Sequence, residues 1–115
     1  MVDVDGDGDL DAIQGGNGEP LTCQWNEDGR FRIAWSMSRS ALNIVNTDLE
    51  RDGDVGLAVA HAFCIDRDCG GPVMFSLLLN DGTGRFTEVS AARGLAFTST
   101  EFIVGVVSGD IDGDG

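Results

Sequence analysis

Carboxylates recur on alternate residues at three places in this chain: Asp3-Val-Asp5-Gly-Asp7-Gly8-Asp9-Leu-Asp11, Asp48-Leu-Glu50-Arg-Asp52-Gly53-Asp54-Val-Gly56, and Asp110-Ile-Asp112-Gly-Asp114-Gly115. Side chains at that spacing, on a loop that curls, turn several oxygens towards one point. A glycine after the third acid takes the backbone angles that other residues resist. The chemistry this suits is the binding of a hard cation, so each phrase reads as a calcium loop. Without a cation the carboxylates would repel one another.

The three phrases hold five, four and three acids, twelve of the 20 in the chain, so the net charge of −13 is gathered at three points. An evenly acidic disordered chain needs few apolar residues. This one is 42% hydrophobic, with two Trp and six Phe, which argues for a folded core. Seven Arg and no Lys offer no basic face, excluding nucleic acid and an anionic membrane surface as partners. No apolar run is long enough to span a bilayer. Met1-Val-Asp3 opens directly on a ligand without a basic or apolar leader, so the expectation is a leader already removed or a piece of a larger protein.

The loops must be held by something, and the surrounding residues read as short strands. The length fits one small domain, and 17 glycines with no long stretch of helix formers point to an all-β class. In the middle copy, Ala41 to Thr47 leads into the loop and Val55 to Phe63 leaves it. Val73 to Leu79 makes a third strand, Asn80-Asp81-Gly82-Thr83-Gly84 a turn, and Arg85 to Ser90 a fourth strand. The first copy follows the same script from its loop onward: Leu10 to Gly15, Leu21 to Trp25, the turn Asn26-Glu27-Asp28-Gly29, then Arg30 to Ala34. The third supplies Phe102 to Val107 and the start of its loop. Loop starts at Asp3, Asp48 and Asp110 lie 45 and 62 residues apart, the longer gap holding a Cys64 to Pro72 insertion and an Ala91 to Ser99 connection. Repeats of this size, with four antiparallel strands each, suggest about two propeller blades: repeat 1 over about 1–40, repeat 2 over about 41–100 and a partial repeat 3 over about 101–115.

These residues also carry a family resemblance. The phrase Asp3 to Asp11 followed by Ala-Ile, with the later Asn80-Asp-Gly-Thr-Gly-Arg-Phe86-Thr-Glu-Val89, resembles the FG-GAP and VCBS repeats of integrin-α-like β-propellers. The stretch Phe86 to Leu95 is similar to the segment between blades in secreted members related to cartilage acidic protein. The resemblance covers nearly the whole chain and implies Ca2+ held between a blade's first and second strands. Carried over by position, it makes Asp3, Asp5, Asp7 and Asp11 side-chain ligands, with Asp9 giving its carbonyl. In loop two, Asp48, Glu50 and Asp52 fit and Asp54 takes the carbonyl place, but Gly56 replaces the last carboxylate. That site is then weak, uses water, or stays empty with Arg51 balancing the acids. In loop three, Asp110, Asp112 and Asp114 fit.

In blade order the strands sum to eight, cut within a loop at both ends, and two blades cannot close a ring. Either copies associate as a homo-oligomer, Phe102 to Val107 of one pairing with Leu10 to Gly15 of the next, or the chain is part of a larger propeller. A concentration-independent monomer in light scattering would sink the ring.

Other readings of the same residues are weaker. An EF-hand needs a bidentate Glu at the twelfth loop position, where this chain has Gln14 and Val59. Gly15-Gly-Asn-Gly18 hints at a glycine-rich calcium β-roll but occurs once. A glycosidase needs two carboxylates in different environments flanking a cleft, whereas these acids sit in repeated turns. His61 lies in an apolar strand and reads as a core histidine, and Trp25 and Trp35 read as packing between blades. Cys64 and Cys69 suit a small disulfide ring, with Cys23 left over; a zinc site from His61 and the three cysteines, or plain thiols, are the alternatives.

The resemblance implies a non-enzymatic, secreted or cell-surface module for adhesion or protein–protein interaction, with a protein partner or self-association through open blade edges. The rivals are a structural repeat of a larger secreted protein and a carbohydrate-binding domain attached to an enzyme. Loss of partner binding on chelation favours the first, assembly without a partner the second, and a glycan-array signal the third.

Overall fold

The computed structural model describes residues 1–16, 18–61, 75–95 and 108–113. Its strands are β1 (Ala12–Gly16), β2 (Glu19–Glu27), β3 (Arg30–Thr47), β4 (Gly56–His61), β5 (Phe75–Asn80) and β6 (Phe86–Glu88). Each pairs antiparallel with the next, giving one open sheet in the order β1-β2-β3-β4-β5-β6. The all-β expectation holds, and the sheet is not closed.

Local chemistry explains the connections. Between β2 and β3 the chain reverses over Asp28-Gly29, both at positive φ (53° and 85°), the two-residue turn whose twist matches the strands it joins. The Asn26 side-chain carbonyl accepts the Gly29 N–H at 2.8 Å and holds that turn. Asn80 does the same for the β5–β6 turn, accepting from Gly82 at 3.2 Å and Gly84 at 3.1 Å. β6 is shorter than the sequence suggests, because the chain turns at Ser90: Leu95 N–H donates to the Ser90 carbonyl at 2.7 Å and the Ser90 hydroxyl accepts the Leu77 N–H at 2.8 Å.

One expectation is corrected. Arg30 to Ala34 and Ala41 to Thr47 read as separate strands, but they are the two ends of the 18-residue β3. The intervening Trp35-Ser-Met-Ser-Arg-Ser40 contains no Gly or Pro to break an extended chain. Residues up to Ser40 pair with β2, and Ala41 onward with β4. A straight strand of this length would reach about 60 Å, yet the longest molecular extent is 41 Å. β3 therefore bends, and its register slips beside the change of partner, between Ala41 and Asn43.

The two halves of the sheet on either side of the bend share one core. Leu21 of β2, Ala41 of β3, Leu57 and Val59 of β4 and Leu78 of β5 form the buried cluster, with Ile13, Trp35, Met37, Ile44 and Phe86 packed on it. Burying each of the three leucines contributes about 2 kcal/mol. β4 is buried along its whole length. Trp35 meets Phe86 at a 5.3 Å centroid distance. Trp25 lies against Gly84, where a Cβ would come within 2.7 Å of the indole Nε1, and Arg32 sits 5.0 Å over the Trp25 ring. Both tryptophans thus bridge the halves. The expected strand Phe102 to Val107 and the Cys64 to Pro72 insertion lie outside the described residues.

Candidate metal centre

Loop one is a closed turn before it is anything else. Val2 and Asp11 exchange backbone hydrogen bonds of 3.1 and 2.9 Å at its neck. Inside, Asp3 accepts the N–H groups of Gly6 (2.8 Å) and Gly8 (3.0 Å), Asp5 that of Asp7 (3.2 Å) and Asp7 that of Asp9 (2.8 Å). Gly6 and Gly8 sit at φ of 78° and 96°, where a side chain would be strained.

The result is a cluster. Carboxylate oxygens of Asp3, Asp5 and Asp11 lie within 4.8 Å of one another. Calcium binds oxygen at about 2.3–2.6 Å, so two ligands on opposite sides of one ion stand about 5 Å apart. The spacing and the all-oxygen donor set fit such an ion. Asp11 is fully buried, its two oxygens accepting the Val4 and Asn26 N–H groups at 2.8 Å each. Burial raises the Asp5 carboxyl above its ordinary value, the nearby charges of Asp11, Asp7 and Asp3 add to this, and the hydrogen bond from Asp7 partly opposes it. Asp7 and Asp9 are exposed and outside the close group.

Loop two repeats the turn. Asp48 accepts the N–H groups of Asp52 (3.2 Å) and Gly53 (3.0 Å), and Asp52 that of Asp54 (3.0 Å). Arg51 (φ 58°) and Gly53 (φ 91°) stand where loop one has Gly6 and Gly8. The missing last carboxylate has a steric cause: a Cβ on Gly56 would lie 2.9 Å from the Leu78 carbonyl oxygen and 3.1 Å from that of Thr47. Glu50 is engaged by Arg93 in an ion pair. Asp48, Glu50, Asp52 and Asp54 are not drawn into a close group as Asp3, Asp5 and Asp11 are. In loop three, Asp110 accepts the Gly113 N–H at 2.7 Å, with Gly113 at φ 77° as at Gly6. Asp112 is exposed, and Asp114 lies outside the described residues.

Asn26 and Asn80, which open matching turn phrases, hold a role that the acidic pattern does not reveal. Asn26 donates through Nδ2 to the Leu10 carbonyl (3.2 Å), and Asn80 to the Val4 carbonyl (2.7 Å). The β5–β6 turn therefore touches both loops, since Gly82 also lies against the Asp54 carboxylate, where a Cβ would meet Oδ2 at 2.8 Å. Cys23 is a buried free thiol, pushed up to about 11 by burial, with Asp11 and Asp5 contributing. Cys64 and Cys69, and with them the disulfide and zinc readings, lie outside the described residues. Comparisons with protein-family models, with curated proteins and with solved structures return no match.

Proposed function

We propose that the chain is a calcium-binding segment of an FG-GAP/VCBS-type β-propeller, acting without catalysis as an extracellular module for adhesion or protein–protein interaction. The observation that carries the reading is the convergence of Asp3, Asp5 and Asp11 within 4.8 Å, on a turn whose backbone is repeated in loop two. A bound calcium ion supplies positive charge that offsets the repulsion among these carboxylates, and so couples metal binding to folding. The protein's part is to hold the loop. Asp11 is fixed by two backbone amides, Asp3 ties the turn to itself, and Asn26 and Asn80 anchor loop one to two separate hairpin turns. Loop one is the principal site, and loop two, lacking the Asp11 equivalent, binds more weakly.

The interaction role is supported by the open sheet, whose outer strands β1 and β6 each have one neighbour among the described strands. A protein partner or a second copy of the chain suits such edges. Thermal unfolding with calcium and after chelation, run alongside light scattering, tests the proposal. Calcium should raise the transition by several degrees at millimolar concentration, and magnesium by less. Superimposable curves would reject the metal reading. A lone monomer that gains no mass with calcium or with concentration would reject self-association.

A further inference from the structure

One side-chain line crosses the sheet far from the acidic loops. His61 on β4 is fully buried, with Nδ1 3.1 Å from the Ser40 carbonyl on β3 and Nε2 2.7 Å from Ser76 Oγ on β5. Ser76 Oγ lies 3.0 Å from Glu88 Oε1 on β6. Ser90 Oγ donates to the same oxygen at 3.4 Å, and Arg39 approaches it at 4.0 Å. The line is not a nucleophile arrangement, because Ser76 is fully buried and the carboxylate meets the serine and not the far side of the imidazole.

Its hydrogens can be counted. A carbonyl only accepts, so Nδ1 carries a proton. In the uncharged ring Nε2 then only accepts and needs the Ser76 proton. The Glu88 carboxylate also only accepts, so its contact with Ser76 draws on the same proton. A serine hydroxyl has a single proton to give. With His61 uncharged and Glu88 ionised the line is one hydrogen short, and one of its two contacts sets lone pair against lone pair. Burial lowers the imidazole from its ordinary value and Arg39 adds to this, against opposing pulls from the Ser40 carbonyl and Glu88. The uncharged ring is therefore the neutral-pH state.

We propose that Ser40, His61, Ser76 and Glu88 form a single acid-closed clamp across β3, β4, β5 and β6, in which one proton taken up by His61 completes both hydrogen bonds of Ser76. On Nε2 the proton makes the ring donate to Ser76, which donates to Glu88. Glu88, whose side chain is 39% exposed beside a cavity of about 300 Å3, is the end open to solvent. Among the described residues, Arg39 and Glu88 are the charged groups acting on the ring. The clamp bears most on β6, which is three residues long and, among the described strands, pairs only with β5.

Glu88→Gln supplies the missing hydrogen at every pH, since its amide donates to Ser76 and frees the hydroxyl proton for Nε2. At equal calcium, this variant should melt about 4 °C above the unaltered protein at pH 8, with the gap narrowing as the pH falls. A variant less stable at pH 8, or a gap that does not change with pH, would overturn the clamp. Because the chain has a single histidine, its ring 15N resonances report the proton count directly in the unaltered protein. At pH 8 they should show the uncharged ring with hydrogen on Nδ1; hydrogen on Nε2 instead would overturn the proposal, whatever the variant does.

Discussion

The Asp11 carboxylate accepts the Asn26 backbone N–H at 2.8 Å across 15 residues of chain, so the last acid of loop one is also a brace for the end of β2. Its other oxygen accepts Val4. Asp11→Ala strands both amides, at a cost of about 2–4 kcal/mol that persists in chelator. Denaturant unfolding with and without calcium checks this. An intact midpoint in chelator would mean that Asp11 serves the ion alone.

Asp5 should behave in the opposite way. Its carboxyl is pushed up mainly by burial and also by its acidic neighbours, so in the metal-free protein it is a source of strain. Asp5→Asn is expected to raise the melting temperature in chelator while shrinking the calcium-induced rise by half or more. Loss of stability in both conditions would show that Asp5 has a purely structural role. Asp54→Asn in loop two, at the position that loop one gives to Asp9, should alter the calcium response less.

Gly56→Asp would restore the full acidic phrase on paper and fail in practice. A Cβ there meets two carbonyl oxygens at 2.9 and 3.1 Å, so the variant should lose about 2–3 kcal/mol and gain no calcium affinity. Calorimetric titration together with a melting curve checks both halves of the statement.

Arg51 holds a left-handed φ of 58° where loop one has Gly6 at 78°. Arg51→Gly relieves a conformational cost of about 1 kcal/mol. The gain should be read at high salt, where contributions from surface charge are screened. A loss of stability under those conditions would contradict it.

Cys23 gives an alkaline signature. Its folded value of about 11 lies above the thiol's ordinary 9.0, so the folded chain holds the proton more tightly than the unfolded one. Stability from this source is complete below pH 9 and is lost as pH rises towards 11, by about 2 kcal/mol. The chain has no Tyr or Lys in that window, and Cys64 and Cys69 are common to both proteins compared. The stability of the unaltered protein minus that of Cys23→Ala should therefore fall between pH 9 and 11; a flat difference would refute the assignment.

What could be read from sequence was what is local. The alternating acids foretold that Asp3, Asp5 and Asp11 converge, and the matching Asn26 and Asn80 phrases marked two turns that the structure contains. The steric reason for Gly56 was illegible, because it depends on the Leu78 carbonyl, which strand register alone brings near. The His61, Ser76 and Glu88 line was hidden for the same cause: its members belong to three strands. β3 runs unbroken through Trp35 to Ser40 because that segment has no breaker residue, and the period of the acidic repeat carries no information on where a strand ends. Asp7 shares the alternation but stays exposed beside the cluster, and the side chain of Asp9, expected to offer only its carbonyl, is exposed as well.

β3 is gripped along its first part by β2 and along its second by β4. Tension along this one strand is shared by both hydrogen-bond ladders and resisted in shear. The halves of the molecule should then yield together, in a single rupture under force, because neither ladder can be peeled while the other still anchors the common strand.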